Sequence, residues 1–356
     1  MEFKNLKLVE TKEHKICRSN DYNFIFNKVN GSFMRWGKTL KDDPCYAPSP
    51  EILDLEISAG NIGTKKEECI AKCDFCYKSN NSGNKPIHNM SFEEFKIIFH
   101  KINKTNFLTQ IAFGIMNIST NKNFFKMMRY SKKHGIIPNY TCHGLDVTPG
   151  VAKETAELCG AVAVSLVNKE KTYDAIKMFS VDNNMKQCNI HYMLSLENYE
   201  KAFEIIDDIS IDPRLKNMNA IVFLQYKHKN KKSNYHSVLD IEKYKKLTKY
   251  CESKGVRYGF DSCSGPLFIK SIIDTPNKEF TELFVEPCEG TCMSYYINCY
   301  GIGSPCSFCE DIENGISVLN CDDFIKDVWN NKITKKWRKK LINNNRNCFV
   351  YSLNPV

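Results

Sequence analysis

From residue 51 onward, short apolar segments alternate with amphipathic segments of ten or more residues, and this alternation restricts the possible folds more than any other feature. Seven apolar segments have the length and composition of strands: 52–57, 110–113, 137–141, 161–167, 187–193, 220–224 and 258–260. Between them, helices are predicted from Ser91 onward and over 122–134, 149–158, 171–181, 197–209 and 241–254. Strands separated by helices of this length favour parallel βαβ units. The sequence therefore predicts an α/β fold, a complete or partial TIM-like barrel, with its active site at the carboxyl ends of the strands.

The segments on either side of this alternation differ from it. Two aromatic-rich segments, 22–26 and 32–36, flank Asn30-Gly31, and Asn-Gly in such a position is a strong signal for a β-hairpin. After residue 265 the alternation fades, and the rest of the chain is rich in cysteine and ends in a basic helix, 334–342. We therefore expect three regions: a lead-in with a hairpin over 1–50, a barrel over 51–265 and a cysteine-rich region over 266–356.

Cysteine usage favours metal ligation over disulfides. The chain has 17 cysteines among 356 residues, with one cluster over 69–76 and eight more cysteines over 263–348. The N-terminus mixes charges of both signs without a signal-peptide core, and no apolar run approaches the ~18 residues of a membrane helix. We therefore expect a cytoplasmic protein without a membrane partner. In a reducing compartment, clustered cysteines indicate metal.

The charge of the chain leaves two interpretations open. At 42% hydrophobic and 26% charged residues the chain can bury a core, which excludes a wholly disordered protein. Its net charge of +9 is concentrated in two basic runs, 227–232 and 335–340. They are either solvated faces or a surface for an acidic peptide or a nucleic acid. Neither run has the alternation of basic and aromatic residues that a base-stacking platform uses, so nucleic acid is not the expected partner.

The first cysteine cluster follows the first predicted strand of the barrel region. Cys69, Cys73 and Cys76 have the spacing Cys-x3-Cys-x2-Cys. Three thiolates on one short loop can hold three irons of a [4Fe–4S] cluster and leave the fourth iron open for catalysis. A structural zinc site is the alternative, but it needs four ligands. His88 is the nearest downstream histidine that could complete such a site.

This segment resembles the radical S-adenosylmethionine (radical SAM) superfamily in the cysteine spacing, in the aromatic Phe75 before the last cysteine, and in its place after a first barrel strand. The resemblance implies a partial TIM-like (β/α)6 barrel of the radical SAM type with a small cysteine-rich C-terminal extension. It implies that Cys69, Cys73 and Cys76 ligate the cluster, that the open iron chelates S-adenosylmethionine, and that Phe75 and Tyr77 lie beside the cofactor.

The chemistry implied by the resemblance is specific. An electron donor such as flavodoxin or ferredoxin reduces the cluster. The reduced cluster then cleaves S-adenosylmethionine to methionine and a 5′-deoxyadenosyl radical. That radical takes a hydrogen atom from an unactivated carbon of the substrate.

The resemblance also implies cofactor contacts at the ends of later strands. A Gly-Gly-Glu-like segment, whose backbone meets the methionine amino group, corresponds here to Gly114, Ile115, Met116 and Asn117. Further polar and apolar contacts to the ribose, the carboxylate and the adenine would come from Ser165, Asn189, His191 and Leu224. Ordinary polar residues at strand ends are the alternative for Ser165 and Asn189.

Cys142, after the third predicted strand, has two interpretations. Some peptide epimerases of the superfamily use a cysteine as hydrogen-atom donor to a substrate radical, which would make Cys142 catalytic. A buried cysteine is otherwise a small apolar side chain. The neighbouring His143, and His191 on the fifth strand, could likewise be hydrogen-bonded structural residues.

The second cysteine cluster has the pattern Cys-x12-Gly-x4-Cys at Cys288, Gly301 and Cys306. This resembles the opening of the SPASM/twitch extension, which holds auxiliary [4Fe–4S] clusters in radical SAM enzymes that often act on peptides. Near the C-terminus the chain offers Cys348 alone, which favours one auxiliary cluster over two. The expected ligands are Cys263, Cys288, Cys306 and Cys348, with Cys309 as the strongest substitute and Cys292, Cys299 and Cys321 as others. A structural zinc is the alternative.

Three functions follow from these features. The first is a radical SAM enzyme acting on a peptide or protein, which the C-terminal extension favours. The second is a radical SAM enzyme acting on a small metabolite or nucleoside, which an open iron at the second site would favour. The third is a non-catalytic iron–sulfur or zinc module, which would bind metal but not S-adenosylmethionine.

Overall fold

The structure, a computed structural model, describes residues 5–59, 69–78, 88–229, 233–283, 285–310, 312 and 315–351. The strands are β1 (Lys7–Glu10), β2 (His14–Arg18), β3 (Asn23–Asn27), β4 (Phe33–Trp36), β5 (Ile52–Glu56), β6 (Ser58–Ala59), β7 (His88–Asn89), β8 (Gln110–Gly114), β9 (Ile137–Cys142), β10 (Ala161–Ser165), β11 (Cys188–Leu194), β12 (Ala220–Gln225), β13 (Tyr258–Phe260), β14 (Ser294–Ile297), β15 (Ile302–Ser304) and β16 (Ile316–Ser317). The α-helices are α1 (Phe92–Asn103), α2 (Phe124–Lys133), α3 (Pro149–Leu158), α4 (Lys169–Ile176), α5 (Lys201–Ile211), α6 (Ile241–Ser253), α7 (Gly265–Ser271), α8 (Lys278–Glu282) and α9 (Lys332–Asn343).

The largest sheet has ten strands in the order β13-β12-β11-β10-β9-β8-β5-β14-β15-β16. From β13 to β14 every neighbouring pair is parallel, and β15 and β16 are added in antiparallel orientation. All seven predicted strands are present, and helices connect β8 to β13 in sequence order. The predicted α/β fold with a mainly parallel sheet is therefore confirmed.

Local sequence signals explain the element boundaries. Ser91 caps α1, and the side chain of Glu94 accepts from the Ser91 backbone, which is the capping box that the sequence predicts. The predicted helix over 171–181 is instead α4 followed by a π-helical segment, Lys177–Asp182. On β11 the residues alternate between a fully buried face and a face that opens toward a cavity, because side chains point to opposite sides of a strand.

The N-terminal region is more than a hairpin. The strands on either side of Asn30-Gly31 are β3 and β4, which pair antiparallel within a four-stranded sheet in the order β1-β2-β3-β4. The sequence did not predict β1 and β2. Aromatic side chains of β3 pack in one core with Phe107 and with Met293 and Leu341 from the C-terminal region. The N-terminal sheet therefore contacts both the parallel sheet and the C-terminal region.

The C-terminal region shares the large sheet. β14 pairs in parallel with β5, with Tyr296 opposite Asp54, so the sheet crosses the expected boundary at residue 265. In the basic helix α9, Trp337 and Arg338 are buried while the lysines at 335, 336, 339 and 340 are exposed. The Arg338 guanidinium donates to the backbone oxygens of Thr291 and Trp329. Within the described residues, none of the helices has the length and apolar character needed to cross a membrane.

Candidate active site

A cavity of about 1540 Å³ opens at the carboxyl ends of the parallel strands. The carboxyl ends of β5 and β8 to β12 contribute to its wall, as do β14, β15 and the cysteine-bearing loop. Most of the residues predicted for the site line it: Cys69, Cys73, Cys76, Phe75, Tyr77, Gly114, Ile115, Met116, Cys142, Ser165, His191 and Leu224. The fold therefore brings together residues that are up to 155 positions apart in sequence.

The three cysteines of the first cluster share one short loop on the cavity wall. The loop is closed by hydrogen bonds from the Lys72 amide to the Cys69 oxygen and from the Cys76 amide to the Cys73 oxygen, and Lys72 has a positive φ of 46°. Burial, together with the neighbouring thiols of Cys76 and Cys69, raises the pKa of Cys73 to about 12. Three thiols on one short loop can bind irons as thiolates, and metal binding releases their protons. The donor set therefore fits an iron–sulfur cluster.

Asn117 holds this loop against the third strand of the barrel region. Its Oδ1 accepts the Ile70 amide at 3.1 Å and His143 Nε2 at 3.0 Å. The other ring nitrogen of His143 accepts the Leu145 amide at 3.1 Å, so the neutral ring carries its proton on Nε2. Burial lowers the pKa of His143, which favours that neutral form. Asn117 itself is not among the residues that line the cavity, so its side chain positions the loop.

Glycine is required at position 114 because strands β5 and β8 approach each other closely there. A Cβ atom at this position would lie 3.3 Å from the Cα of Glu56 on the adjacent strand β5. A larger residue would therefore push the segment over 114–116 away from β5, and glycine lets its backbone remain exposed in the cavity wall.

A charged network that the sequence did not predict closes one side of the cavity. Lys78 follows the cysteine loop, and its Nζ lies 3.0 Å from Glu56, 2.9 Å from Glu310 and 2.7 Å from the Tyr296 hydroxyl. The Tyr296 hydroxyl also lies 2.9 Å from Glu56 and 2.6 Å from Glu310, and its single proton can be donated to either carboxylate. Although burial disfavours the ammonium, the two carboxylates raise the pKa of Lys78. The network connects the cysteine loop to β5, β14 and the C-terminal region.

Aromatic packing makes a second connection between the same parts. The ring of Tyr77 stacks on that of Phe308, with centroids 4.1 Å apart. Phe75 makes an edge contact with Tyr235 at 5.7 Å. The cysteine loop is therefore held from both sides of the cavity mouth.

The predicted residues on the later strands lie at different depths. Cys142 is 4% exposed, and burial raises its pKa to about 12, so the group is a neutral thiol. Burial lowers the pKa of His191 to about 4, so its imidazole is neutral at pH 7. Asn189 shares the face of His191 but does not line the cavity. Its Oδ1 instead accepts from Asn219 at 2.9 Å, nearer the amino end of the strand.

Asp54 is a cavity residue that the sequence analysis missed. It lies in the middle of β5 between the buried Leu53 and Leu55, and it lines the cavity. Burial raises its pKa to about 6. Among the described residues it has no hydrogen-bond or ion-pair partner. A carboxylate between two buried leucines in the middle of a strand was the available signal.

A second group of thiols forms beside the cavity. Cys263 lies near Cys288 and Cys306, and Cys288 lies near Cys306 and Cys348, close enough for each thiolate to raise the pKa of its neighbours. Cys309 approaches this group, with its sulfur 3.3 Å from that of Cys306. The structure therefore brings together the four predicted ligands and the strongest substitute.

Of the other substitutes, Cys292 also lies near Cys288, and the remaining two lie elsewhere. Cys292 packs in the core beneath the N-terminal sheet, Cys299 is buried, and the Cys321 thiol donates to the Val318 oxygen. Among the residues that the structure describes, no group of three or more His, Cys, Asp or Glu side chains is arranged around a single metal ion.

Comparison with solved structures shows which proteins share this fold. Streptococcus suis SuiB bound to the precursor peptide SuiA superposes with a TM-score of 0.68 at 12% identity, covering 93% of this chain and 90% of SuiB. SuiB bound to S-adenosylmethionine gives a TM-score of 0.63 at 15% identity, covering 82% of this chain and 68% of that one. The protein anSMEcpe, with bound AdoMet and the Cp18Cys peptide, gives 0.58 at 16% identity, covering 81% and 82%.

These likenesses show the fold, and the predicted resemblance in fold is confirmed. No protein-family model and no curated protein sequence matches this chain.

Proposed function

We propose that this chain is a radical SAM enzyme that cleaves S-adenosylmethionine reductively and removes a hydrogen atom from a peptide or protein substrate. The observation that carries the proposal is the convergence of Cys69, Cys73 and Cys76 with the predicted cofactor positions on one cavity. That cavity occupies the carboxyl ends of a parallel sheet, which we take to be a partial (β/α)6 barrel, in a fold shared with proteins that bind S-adenosylmethionine.

The proposed cofactor site uses this chain's residues as follows. Cys69, Cys73 and Cys76 would hold a [4Fe–4S] cluster, which supplies the electron that cleaves S-adenosylmethionine to a 5′-deoxyadenosyl radical. The exposed backbone of the segment over 114–116 would accept from the methionine ammonium. Around the nucleoside, the polar and apolar contacts would come from Phe75, Tyr77, Ser165, His191 and Leu224. Asn117 would not touch the cluster, and it would instead fix the position of the cysteine loop that binds it.

The cavity also supports a peptide as the substrate. Its volume, about 1540 Å³, exceeds the upper range of ~1,000 Å³ for small-molecule sites. SuiB and anSMEcpe, which share the fold, have been solved with bound peptides. The neutral thiol of Cys142 faces the same space and could return a hydrogen atom to a substrate radical. An electron donor such as flavodoxin or ferredoxin would serve the enzyme in the cytoplasm, where cysteines stay reduced and can bind metal.

A second, auxiliary [4Fe–4S] cluster is proposed for the thiols of Cys263, Cys288, Cys306 and Cys348. Four thiolates would leave it without an open iron, which favours a peptide substrate bound elsewhere over a small metabolite bound to the cluster. A structural zinc at the same thiols is the competing assignment.

Iron content tests both cluster assignments. Anaerobically reconstituted protein should hold about eight irons per chain, because each of two cubanes contains four. The triple variant Cys69→Ala/Cys73→Ala/Cys76→Ala should retain about four. A wild-type content near four with one zinc would contradict the auxiliary cluster and leave the first intact. Metal binding without binding of S-adenosylmethionine would favour the non-catalytic module.

A further inference from the structure

The charged side chains on the cavity wall do not balance. Among the described residues, four carboxylates and two lysines line the cavity: Asp54, Glu56, Asp261, Glu310, Lys78 and Lys227. Burial lowers the pKa of both histidines on the same wall, His143 and His191, so neither adds a full positive charge at pH 7. The described part of the wall therefore carries an excess of negative charge.

Both lysines already have carboxylate partners. Lys78 Nζ lies 3.0 Å from Glu56 and 2.9 Å from Glu310. Lys227 Nζ donates to Oδ2 of Asp261 at 3.0 Å. Three of the four carboxylates are therefore compensated by a lysine of the cavity wall.

Asp54 is the fourth carboxylate, and within the described part of the chain no group forms a hydrogen bond or an ion pair with it. Its register partners on the adjacent strands are Ala112 on β8 and Tyr296 on β14. Alanine offers no polar side-chain atom, and the Tyr296 hydroxyl is within 2.9 Å of both Glu56 and Glu310. An unpaired carboxylate away from bulk water costs stability, and proteins keep such a cost where function requires it.

Asp54 also lies deeper in the cavity than the segment proposed for the cofactor. Gly114, which begins that segment, is the register partner of Glu56. Asp54 precedes Glu56 by two residues on the same strand, so it lies roughly 6.6 Å nearer the amino end of the sheet. A cofactor held by the backbone over 114–116 would leave this carboxylate open to a group that reaches further into the cavity.

We propose that Asp54 binds the side chain of a lysine or an arginine of the peptide substrate and thereby selects for a basic residue at one position of that peptide. Both side chains carry their charge at the end of a long apolar stem, which allows the charge to reach a carboxylate deep in a cavity. The pairing would also compensate the excess negative charge of the wall. This inference rests on the proposed function, in which the cavity receives a peptide.

Four pools of synthetic heptapeptides test the preference without knowledge of the natural substrate. Their central residue is lysine, arginine, norleucine or glutamate, and the other six positions are random. Anaerobically reconstituted protein with S-adenosylmethionine is equilibrated with each pool, and the bound peptide is measured by mass spectrometry. Norleucine keeps the stem of lysine without its charge, so the ratio of bound lysine pool to bound norleucine pool reports the charge alone.

The wild-type protein should bind the lysine and arginine pools about tenfold better than the norleucine pool, as one charge-assisted hydrogen bond predicts. Asp54→Asn keeps the shape of the side chain and removes its charge, so its ratio should fall to about one. Asp54→Lys reverses the charge and should favour the glutamate pool instead.

Asp274→Asn is the matched control. The Asp274 side chain is 83% exposed, lies 3.8 Å from Lys245 and is not among the described residues that line the cavity. The substitution changes the net charge of the protein by the same amount as Asp54→Asn. It should therefore bind the four pools in the wild-type ratios.

The outcomes separate this inference from the proposed function. A wild-type protein that binds the lysine and norleucine pools equally, or binds none of the pools, would overturn the role of Asp54. The wild-type ratio in Asp54→Asn would overturn it as well, and so would weaker binding of S-adenosylmethionine by that variant, which would place Asp54 at the cofactor. If Asp54→Lys does not fold, Asp54→Asn decides. The proposed function fails separately, and this inference with it, if wild-type protein does not bind S-adenosylmethionine.

Discussion

At the scale of single residues, Asp54 differs from the other carboxylates on the cavity wall. Glu56 and Glu310 both pair with Lys78, and Asp261 pairs with Lys227. Asp54 lies one layer below Glu56 on the same strand, and burial raises its pKa from 3.8 to about 6. The folded protein therefore binds more protons at this group than the unfolded chain between those two pH values.

This shift has a definite sign for stability. Because the folded-state pKa is raised, the free energy of unfolding should fall as pH rises from about 4 to about 6, and the full cost should be present at pH 7. Asp54→Asn removes that cost and should stabilise the protein at pH 7 by about 3 kcal/mol, from roughly two pKa units at 1.36 kcal/mol each. At pH 4.5 the two proteins should differ much less. Urea unfolding at both pH values measures this, and an Asp54→Asn variant no more stable than wild type at pH 7 would disprove it.

Single residues also show where prediction from sequence succeeds. Cys69, Cys73 and Cys76 lie within eight positions, so the sequence alone shows that they are close together, and the structure places their loop on the cavity wall. Lys78, Glu56 and Glu310 meet across more than 250 positions, and no local pattern relates them. Asn189 lies on the same face of β11 as His191, as alternation along a strand requires, but alternation does not give depth along the strand, and the partner of Asn189 is Asn219.

At the scale of elements, local patterns predicted the strands of the barrel region because each one is a short apolar run between amphipathic helices. The pairing of β14 with β5 was not predicted. β14 is a four-residue strand that follows a cysteine-rich turn, and its partner lies some 240 residues earlier. Long-range pairing of this kind leaves little local signature, since it depends on which edge of the sheet remains open.

The same pairing gives a prediction about truncation. Deleting residues 266–356 removes β14, and with it the core residues Met293 and Leu341 beneath the N-terminal sheet, and uncovers the edge of β5. An open, apolar strand edge is a template for aggregation, so the truncated protein should be poorly soluble. Size-exclusion chromatography of the expressed fragment tests this. A folded, monomeric fragment that still binds S-adenosylmethionine would show instead that the C-terminal region is an independent domain.

At the scale of the whole molecule, three parts meet at the cavity. The carboxyl ends of the parallel strands, the cysteine loop and the C-terminal region all line it, the last through Tyr296, Phe308 and Glu310. The buried contacts of Lys78 and Tyr77 join these parts. A cofactor bound by the loop and a substrate bound against the C-terminal region would therefore share one cavity, as the proposed radical chemistry requires.

Formation of 5′-deoxyadenosine tests the central claim most directly. Anaerobically reconstituted protein, reduced with dithionite in the presence of S-adenosylmethionine, should release 5′-deoxyadenosine slowly without substrate and faster with it. Cys73→Ala should abolish the product, because two remaining thiolates cannot hold a defined open iron. Cys306→Ala should damage the auxiliary cluster yet leave some uncoupled product, because the two groups of thiols are separate. Wild-type protein with an intact, reducible cluster that neither binds nor cleaves S-adenosylmethionine would contradict the account.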